Sequence, residues 1–400
     1  MKNKIVCFIQ KHKRTLIWFI PVLFFCVVMM VSSVKTPMWM DEYVFYRLTF
    51  ELPKYDSHAD WLFKDRPQVI NPMDMWKSMT SEPFDRDFAL HWIYDNKVYE
   101  HGMLAPYISY PMVKTLNTLA DKGVISHVED EKGYPKLPEN ATAIEIQNLD
   151  LRMNAETMTI ILRLLPILLF CLSMWFIFKI QYSKIGLNAY MYWLPMLVMY
   201  QLFTATYQFY WDVFMMFFFT LTLYLMEKKS KWAYVTACCL VNTKMFIGLA
   251  FLLPLVFKNW KMIFCGFALI PWYLWIVHVN GDFFFPLLHY FGNNGFALHD
   301  YIYRIYSFKG YIIMLTMYGV PFFALLTLPI FAKYKKYAYL VVLLIISNIN
   351  AWGTGLTNPA ISDLVYVGAL IFPYVCYEFN LFDKVSKLFG KLGVQEVEAR

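Results

Sequence analysis

Leu16-Ile17-Trp18-Phe19-Ile20-Pro21-Val22-Leu23-Phe24-Phe25-Cys26-Val27-Val28-Met29-Met30-Val31-Ser32-Ser33-Val34, followed after a short link by Met38-Trp39-Met40-Asp41-Glu42, decides how this chain is read. The apolar run suits a bilayer crossing, which takes about 20 residues. Lys2, Lys4, Lys11, Lys13 and Arg14 precede it, and basic flanks stay on the cytoplasmic side. The run resembles a signal-peptide core, but it is longer and no small-residue cleavage site follows, so it reads as a retained anchor. Asp41 and Glu42 then emerge at the outer face, level with lipid phosphates. Ionisable groups at that depth are costly and mark function. The plainer alternative is a solvated loop start.

Composition agrees with a polytopic membrane protein. Hydrophobic residues are 59% and charged residues 16% of the chain, against about 25% charged in soluble domains. Aromatics at 20% suit interfacial belts and stacking surfaces for sugars. Six of the seven cysteines lie in apolar segments, Cys7 lies in the basic N-terminal tail and none lies in the long polar loop, so no disulfide framework or zinc pattern is expected. Residues 35–155 carry 19 Asp+Glu and 13 Lys+Arg, a net of −6 in a chain of net +7, which leaves +13 for the remainder. An acidic loop behind a basic N-terminus reads as translocated, and the basic remainder as cytoplasmic turns.

Apolar spans read as 16–34, 157–178, 187–206, 209–226, 232–257, 262–279, 311–332, 337–350 and 363–380, with basic links at 179–184, 228–231, 258–261 and 333–336. Span 232–257 holds Asn242-Thr243-Lys244 at its middle. Crossed once, it would put Lys258, Lys261, Lys333, Lys335 and Lys336 outside. Broken into a hairpin that turns at the outer face around Lys244, it puts every basic link inside, as the positive-inside rule favours. Each half is then too short to span, which is tolerated only where the halves line a cavity within protein. The alternative is one span with a snorkelling Lys244. The expected fold is an all-α polytopic membrane protein of about ten segments. Residues 1–34 form the cytoplasmic N-terminus and first span, 35–155 a large outer loop with membrane-surface helices, 156–380 the bundle and 381–400 a cytoplasmic tail. Within the loop, helices are expected at 43–52 and 103–119, the second placing Leu104, Ile108, Met112, Thr115, Leu116 and Leu119 near one face to lie flat on the membrane.

Asp41, Glu42, His101, Arg163, Asp212 and Lys244 all fall at the outer ends of spans. Each has a plainer reading: Asp212 as a helix N-cap, Arg163 as the partner of an acid, Lys244 as a snorkelling lysine, His101 as a surface histidine. Together they suit gripping a lipid-linked phosphate and deprotonating an acceptor.

On these residues the chain resembles the GT-C class of multispanning glycosyltransferases, which use polyprenyl-phosphate-linked sugars, with likenesses to protein O-mannosyltransferases and lipid A aminoarabinose transferases. Asp41-Glu42 matches their acidic pair after the first span. His101-Gly102-Met103-Leu104 stands in place of a His-Pro-Pro-Leu-like motif, Arg163-Leu164-Leu165-Pro166 matches an Arg-Leu-Pro stretch with one extra residue, Asp212 matches an acid opening a later span, and Thr243-Lys244 matches a turn between half-helices. The family's Arg-Tyr near the last spans is not evident around Tyr366, and only residues 381–400 follow the last apolar span.

The resemblance implies a GT-C-like bundle that transfers a sugar, with inversion, from a polyprenyl-phosphate donor to an envelope glycan, lipid or protein acceptor. Asp41 would be general base, with Glu42 and Asp212 as further catalytic-site carboxylates that would orient the acceptor. Lys244, Arg163 and His101 would hold the donor phosphate. Trp39, Tyr210 and Trp211 would stack on sugar or lipid. No cofactor is firmly implied, although Asp212 or Glu42 leaves room for a divalent metal. Partners are the donor, the acceptor and membrane lipids, with no nucleic acid. The compartment read from residue usage is a bacterial inner membrane, with both termini cytoplasmic and the site extracytoplasmic. The rival functions are a polysaccharide polymerase or ligase, and a lipid or solute transporter, which predicts repeated halves.

Overall fold

The computed structural model of the chain describes residues 22, 23, 26–31, 33, 34, 42, 45, 46, 49, 50, 102–128, 157–185, 209–280, 283, 284, 338–343 and 346. Spans expected at 187–206, 311–332 and 363–380, most of 337–350, and the tail 381–400 lie outside the described residues. The described residues are helices and their connecting turns, with no strand among them: α1 (Leu104–Asp121), α2 (Thr157–Ile185), α3 (Trp211–Glu227), α4 (Trp232–Thr243), α5 (Met245–Lys258), a 3-10 helix (Trp260–Leu269) and α6 (Ile270–Asn280).

Among the described residues, two helical stretches are long and apolar enough to cross a bilayer, Thr157–Lys184 and Trp260–His278. Residues described within 22–34 are helical and run antiparallel to α2. The Val22 carbonyl lies 3.9 Å from Cys171 Sγ, and the Ser33 carbonyl accepts from Arg163 Nη1 at 2.7 Å. On its other side α2 packs against α3, which in turn packs against α4.

The expected break at Lys244 is present. Lys244 has φ −145 and ψ 87, outside the helical region, and it ends α4 as it opens α5. The halves hold 12 and 14 residues, about 18 and 21 Å at 1.5 Å per residue. They fold back as a hairpin rather than a kinked rod, because Asn259 Nδ2 at the far end of α5 donates to Tyr234 Oη near the start of α4 at 3.2 Å. At the turn, a Cβ added to Gly248 would lie 2.6 Å from the Leu240 carbonyl oxygen, so only glycine lets the two halves approach this closely.

The segment expected as a plain span at 262–279 differs. It begins as ten residues of 3-10 helix, started by the Asn259 side chain accepting from the Lys261 N–H at 3.2 Å. A 3-10 helix rises about 2.0 Å per residue, so tighter winding gives this segment more reach than an α-helix of equal length. Ile263, Phe264, Phe267, Ile270 and Leu274 stand exposed along it. Exposed apolar surface on this scale marks a membrane or protein interface.

Helix α1 forms close to where periodicity puts it, but it buries a neighbouring face. Ala105, Ser109, Val113, Leu116, Asn117 and Ala120 are buried, whereas Ile108 and Thr115 are exposed. The strip expected to lie on the membrane therefore borders the face buried in protein. The anchor is polar: Tyr46 Oη donates to Asn117 Oδ1 at 2.7 Å, and Asn117 Nδ2 donates to the Val113 carbonyl at 2.9 Å. Hydrophobic periodicity is blind to such a contact.

Among the described residues, the basic links at 179–184, 228–231 and 258–261 gather at one end of the bundle. Glu227, closing α3, accepts from Lys258 and lies 3.1 Å from Lys184 Nζ. Both lysines also approach the Tyr339 ring, at 4.5 Å for Lys258 and 5.7 Å for Lys184. Burial pushes the Glu227 carboxyl up, but the Lys258 hydrogen bond and the charges of Lys184 and Lys258 outweigh it and hold the carboxyl below its ordinary value.

Candidate functional site

The opposite end of the bundle holds the candidate residues. Tyr210 is extended (φ −152, ψ 165) and α3 begins immediately after it. Asp212 therefore sits in the first turn of α3 rather than at its N-cap, and its carboxylate pairs with Lys244 Nζ across 32 positions of sequence. The Asp212 side chain is 11% exposed and that of Lys244 6%. The turn that carries Lys244 is held in place by its neighbours. Thr243 Oγ1 donates to the Cys239 carbonyl at 2.8 Å, and Asn242 Nδ2 donates to the Cys238 carbonyl at 3.0 Å and the Ala268 carbonyl at 3.1 Å.

A second ion pair lies close by. Arg163 Nε donates to Glu42 Oε1 at 2.9 Å and Nη2 donates to Oε2 at 2.5 Å. This is the fork geometry that makes Arg–carboxylate pairs strong. Both residues are fully buried. Oε1 also accepts the Phe209 backbone N–H at 2.8 Å. Glu42 thus joins the first-span segment, α2 and the entry to α3 at one carboxylate. A buried pair of this kind adds little net stability over an apolar pair, but losing one partner is severe because the other charge is stranded.

Aromatic packing surrounds these pairs. The Phe45 ring meets Phe209 at 4.7 Å and Trp211 at 4.4 Å, both edge-on at 82°. Trp211 is fully buried and its indole N–H donates to the Gly102 carbonyl at 3.1 Å. Its ring is thus committed to packing within the bundle. Tyr210 is only partly buried, and Lys244 Nζ lies 6.0 Å from its ring centre. Gly102 closes over the hairpin turn so tightly that an added Cβ would overlap the Asn242 carbonyl.

Of the residues singled out in the sequence, Glu42, Arg163, Asp212, Lys244, Tyr210 and Trp211 come together here. Asp41, His101 and Trp39 lie outside the described residues, adjoining Glu42, Gly102 and the first span in sequence. Among the described residues no group of three or more His, Cys, Asp or Glu is placed to hold a metal. Arg163, expected on the donor phosphate, has its fork on Glu42, and Glu42, expected as a catalytic partner of Asp41, accepts from both Arg163 and Phe209. Sequence reasoning missed Phe45, Phe209 and Gly102. Only Gly102 left a signal, as a glycine where the family pattern has proline. No protein-family model matches the chain, and neither a characterised protein nor a solved structure matches it.

Proposed function

We propose that the chain is an integral membrane glycosyltransferase of GT-C-like architecture. It would move a sugar from a polyprenyl-phosphate donor to an envelope glycan, lipid or protein acceptor. The observation that carries the reading is the meeting of two buried ion pairs, Glu42–Arg163 and Asp212–Lys244, at the turn of two half-helices and at the end of the bundle away from the basic links. That end is the outer face of a bacterial inner membrane if the positive links lie inside. Broken helices of this kind line cavities within protein.

In this reading the acceptor hydroxyl attacks the anomeric carbon, its oxygen–carbon bond forms as the bond to phosphate oxygen breaks, and configuration inverts. Asp41 takes the acceptor proton. Glu42 is held by Arg163 and the Phe209 N–H, so its carboxylate is committed to those partners and the reading assigns the proton to Asp41. Lys244 neutralises the departing polyprenyl phosphate, with His101 as a second contact. Arg163 positions Glu42 and hence the entry to α3. Tyr210 edges the sugar, and Trp211 supports it from within the bundle.

Broken helices also occur in transporters, and the same hairpin is compatible with carrying a lipid phosphate across the bilayer. Lipid analysis of a deletion strain separates the two. Transfer predicts accumulation of a polyprenyl-phosphate sugar and loss of one envelope modification, both reversed by the wild-type gene and not by Asp41→Asn. Unchanged polyprenyl-phosphate sugars in the deletion strain overturn the reading.

A further inference from the structure

We infer that the Asp212–Lys244 ion pair is the resting state of the phosphate site, and that an isoprenyl phosphate enters by displacing Asp212 from Lys244. This rests on the donor reading above and adds the order of events to it. The two ion pairs of the site are built differently. Arg163 and Glu42 are fully buried and doubly hydrogen-bonded, with the Ser33 carbonyl accepting from Arg163 and the Phe209 N–H donating to Glu42. A planar guanidinium in such a fork is fixed. Lys244 is a point charge on a flexible stem, its side chain is 6% exposed, and that of its partner Asp212 is 11% exposed.

Such a pair is suited to exchange. A lysine buried without an anion would be strongly destabilising, so Asp212 supplies the counter-charge while the site is empty. A sugar phosphodiester carries one negative charge and replaces one, so Lys244 stays neutralised throughout. The released carboxylate stays in the first turn of α3, where the helix dipole favours negative charge. The Tyr210 ring, 6.0 Å from Nζ, offers the ammonium a π-face as it turns.

The test measures binding of farnesyl phosphate to the full chain in detergent, with farnesol and inorganic phosphate as separate arms. The wild type is expected to bind farnesyl phosphate. Asp212→Asn, with the competing carboxylate neutralised, is expected to bind it about tenfold tighter or more, the scale of one charge-assisted hydrogen bond. The added Lys244→Met change is expected to remove that gain. A gain for farnesyl phosphate alone assigns the site to a lipid phosphate, whereas an equal gain for inorganic phosphate supports the exchange with a free anion as ligand. Equal or weaker binding to Asp212→Asn overturns the exchange and leaves the donor reading standing. Absence of farnesyl phosphate binding to both proteins overturns both. If Asp212→Asn does not fold alone, farnesyl phosphate must restore a monodisperse protein where farnesol does not, and failure to do so overturns the exchange.

Discussion

The Phe209 backbone N–H donates to Glu42 Oε1 at 2.8 Å, and three residues later Asp212 pairs with Lys244. The two ion pairs are therefore joined through one short stretch of backbone. The Glu42–Arg163 pair sets where α3 begins, and so where Asp212 meets the hairpin turn.

Breaking that first pair on one side is expected to be costly. Glu42→Gln or Arg163→Met alone should destabilise the protein by about 3–5 kcal/mol, because a buried charge is left stranded. The double change should recover most of that loss. Thermal unfolding of the four proteins in detergent checks this, and additive single effects would show that the pair is not coupled.

Gly102→Ala is expected to destabilise by about 1–3 kcal/mol, the range for overpacking. The new methyl meets the Asn242 backbone, which cannot rotate away as a side chain would. The displaced Gly102 carbonyl should also release the Trp211 indole N–H, so a shift in tryptophan emission is expected beside the lower melting temperature. An unchanged protein would mean that α1 does not close over the hairpin turn.

Much of this arrangement was legible in the sequence, and for definite reasons. Lys244 in mid-span cannot face lipid cheaply, and the positive-inside rule turns that cost into a hairpin. An acid partner for Arg163 was the plainer reading of its sequence and is what the structure shows, but that the acid is Glu42 was not legible, because the two lie 121 positions apart and no local pattern links them. Each was singled out, but for separate tasks. The buried face of α1 was not legible, because the Tyr46–Asn117 hydrogen bond is a polar anchor that hydrophobic periodicity does not weigh. The 3-10 start at Trp260 is set by the Asn259 side chain, a single-residue effect that composition over a whole span hides.

At the basic end, the folded Glu227 carboxyl lies below its ordinary value, since the lysine contacts outweigh burial. A depressed carboxyl contributes stability that is present above its unfolded value and lost as pH falls through the lowered folded value. Melting temperature should therefore fall as pH drops below the ordinary carboxylate range. Glu227→Gln should flatten part of that fall, and equal acid sensitivity of the two proteins would contradict the assignment.

The hairpin also predicts sidedness. Single cysteines at 258 and 333, in a background with the native cysteines replaced, should resist an impermeant reagent in intact cells, while one at 290 should react. Lys258 pairs with Glu227, at the same end as Tyr234 and Asn259, so these positions share a side. Labelling at 258 from outside would reverse the orientation.

The most direct test of the central claim is the rate of sugar transfer by purified Asp41→Asn protein, supplied with a polyprenyl-phosphate sugar and an envelope acceptor. The change is nearly isosteric and leaves both buried ion pairs intact, so the protein should fold as the wild type does. General-base catalysis is worth about 10²–10⁴-fold, and a loss of that size is expected. A rate above about a tenth of wild type, far outside that range, would contradict the assignment of Asp41 as the base, and no transfer by the wild-type protein in the same assay would contradict the account of this site as a glycosyltransferase centre.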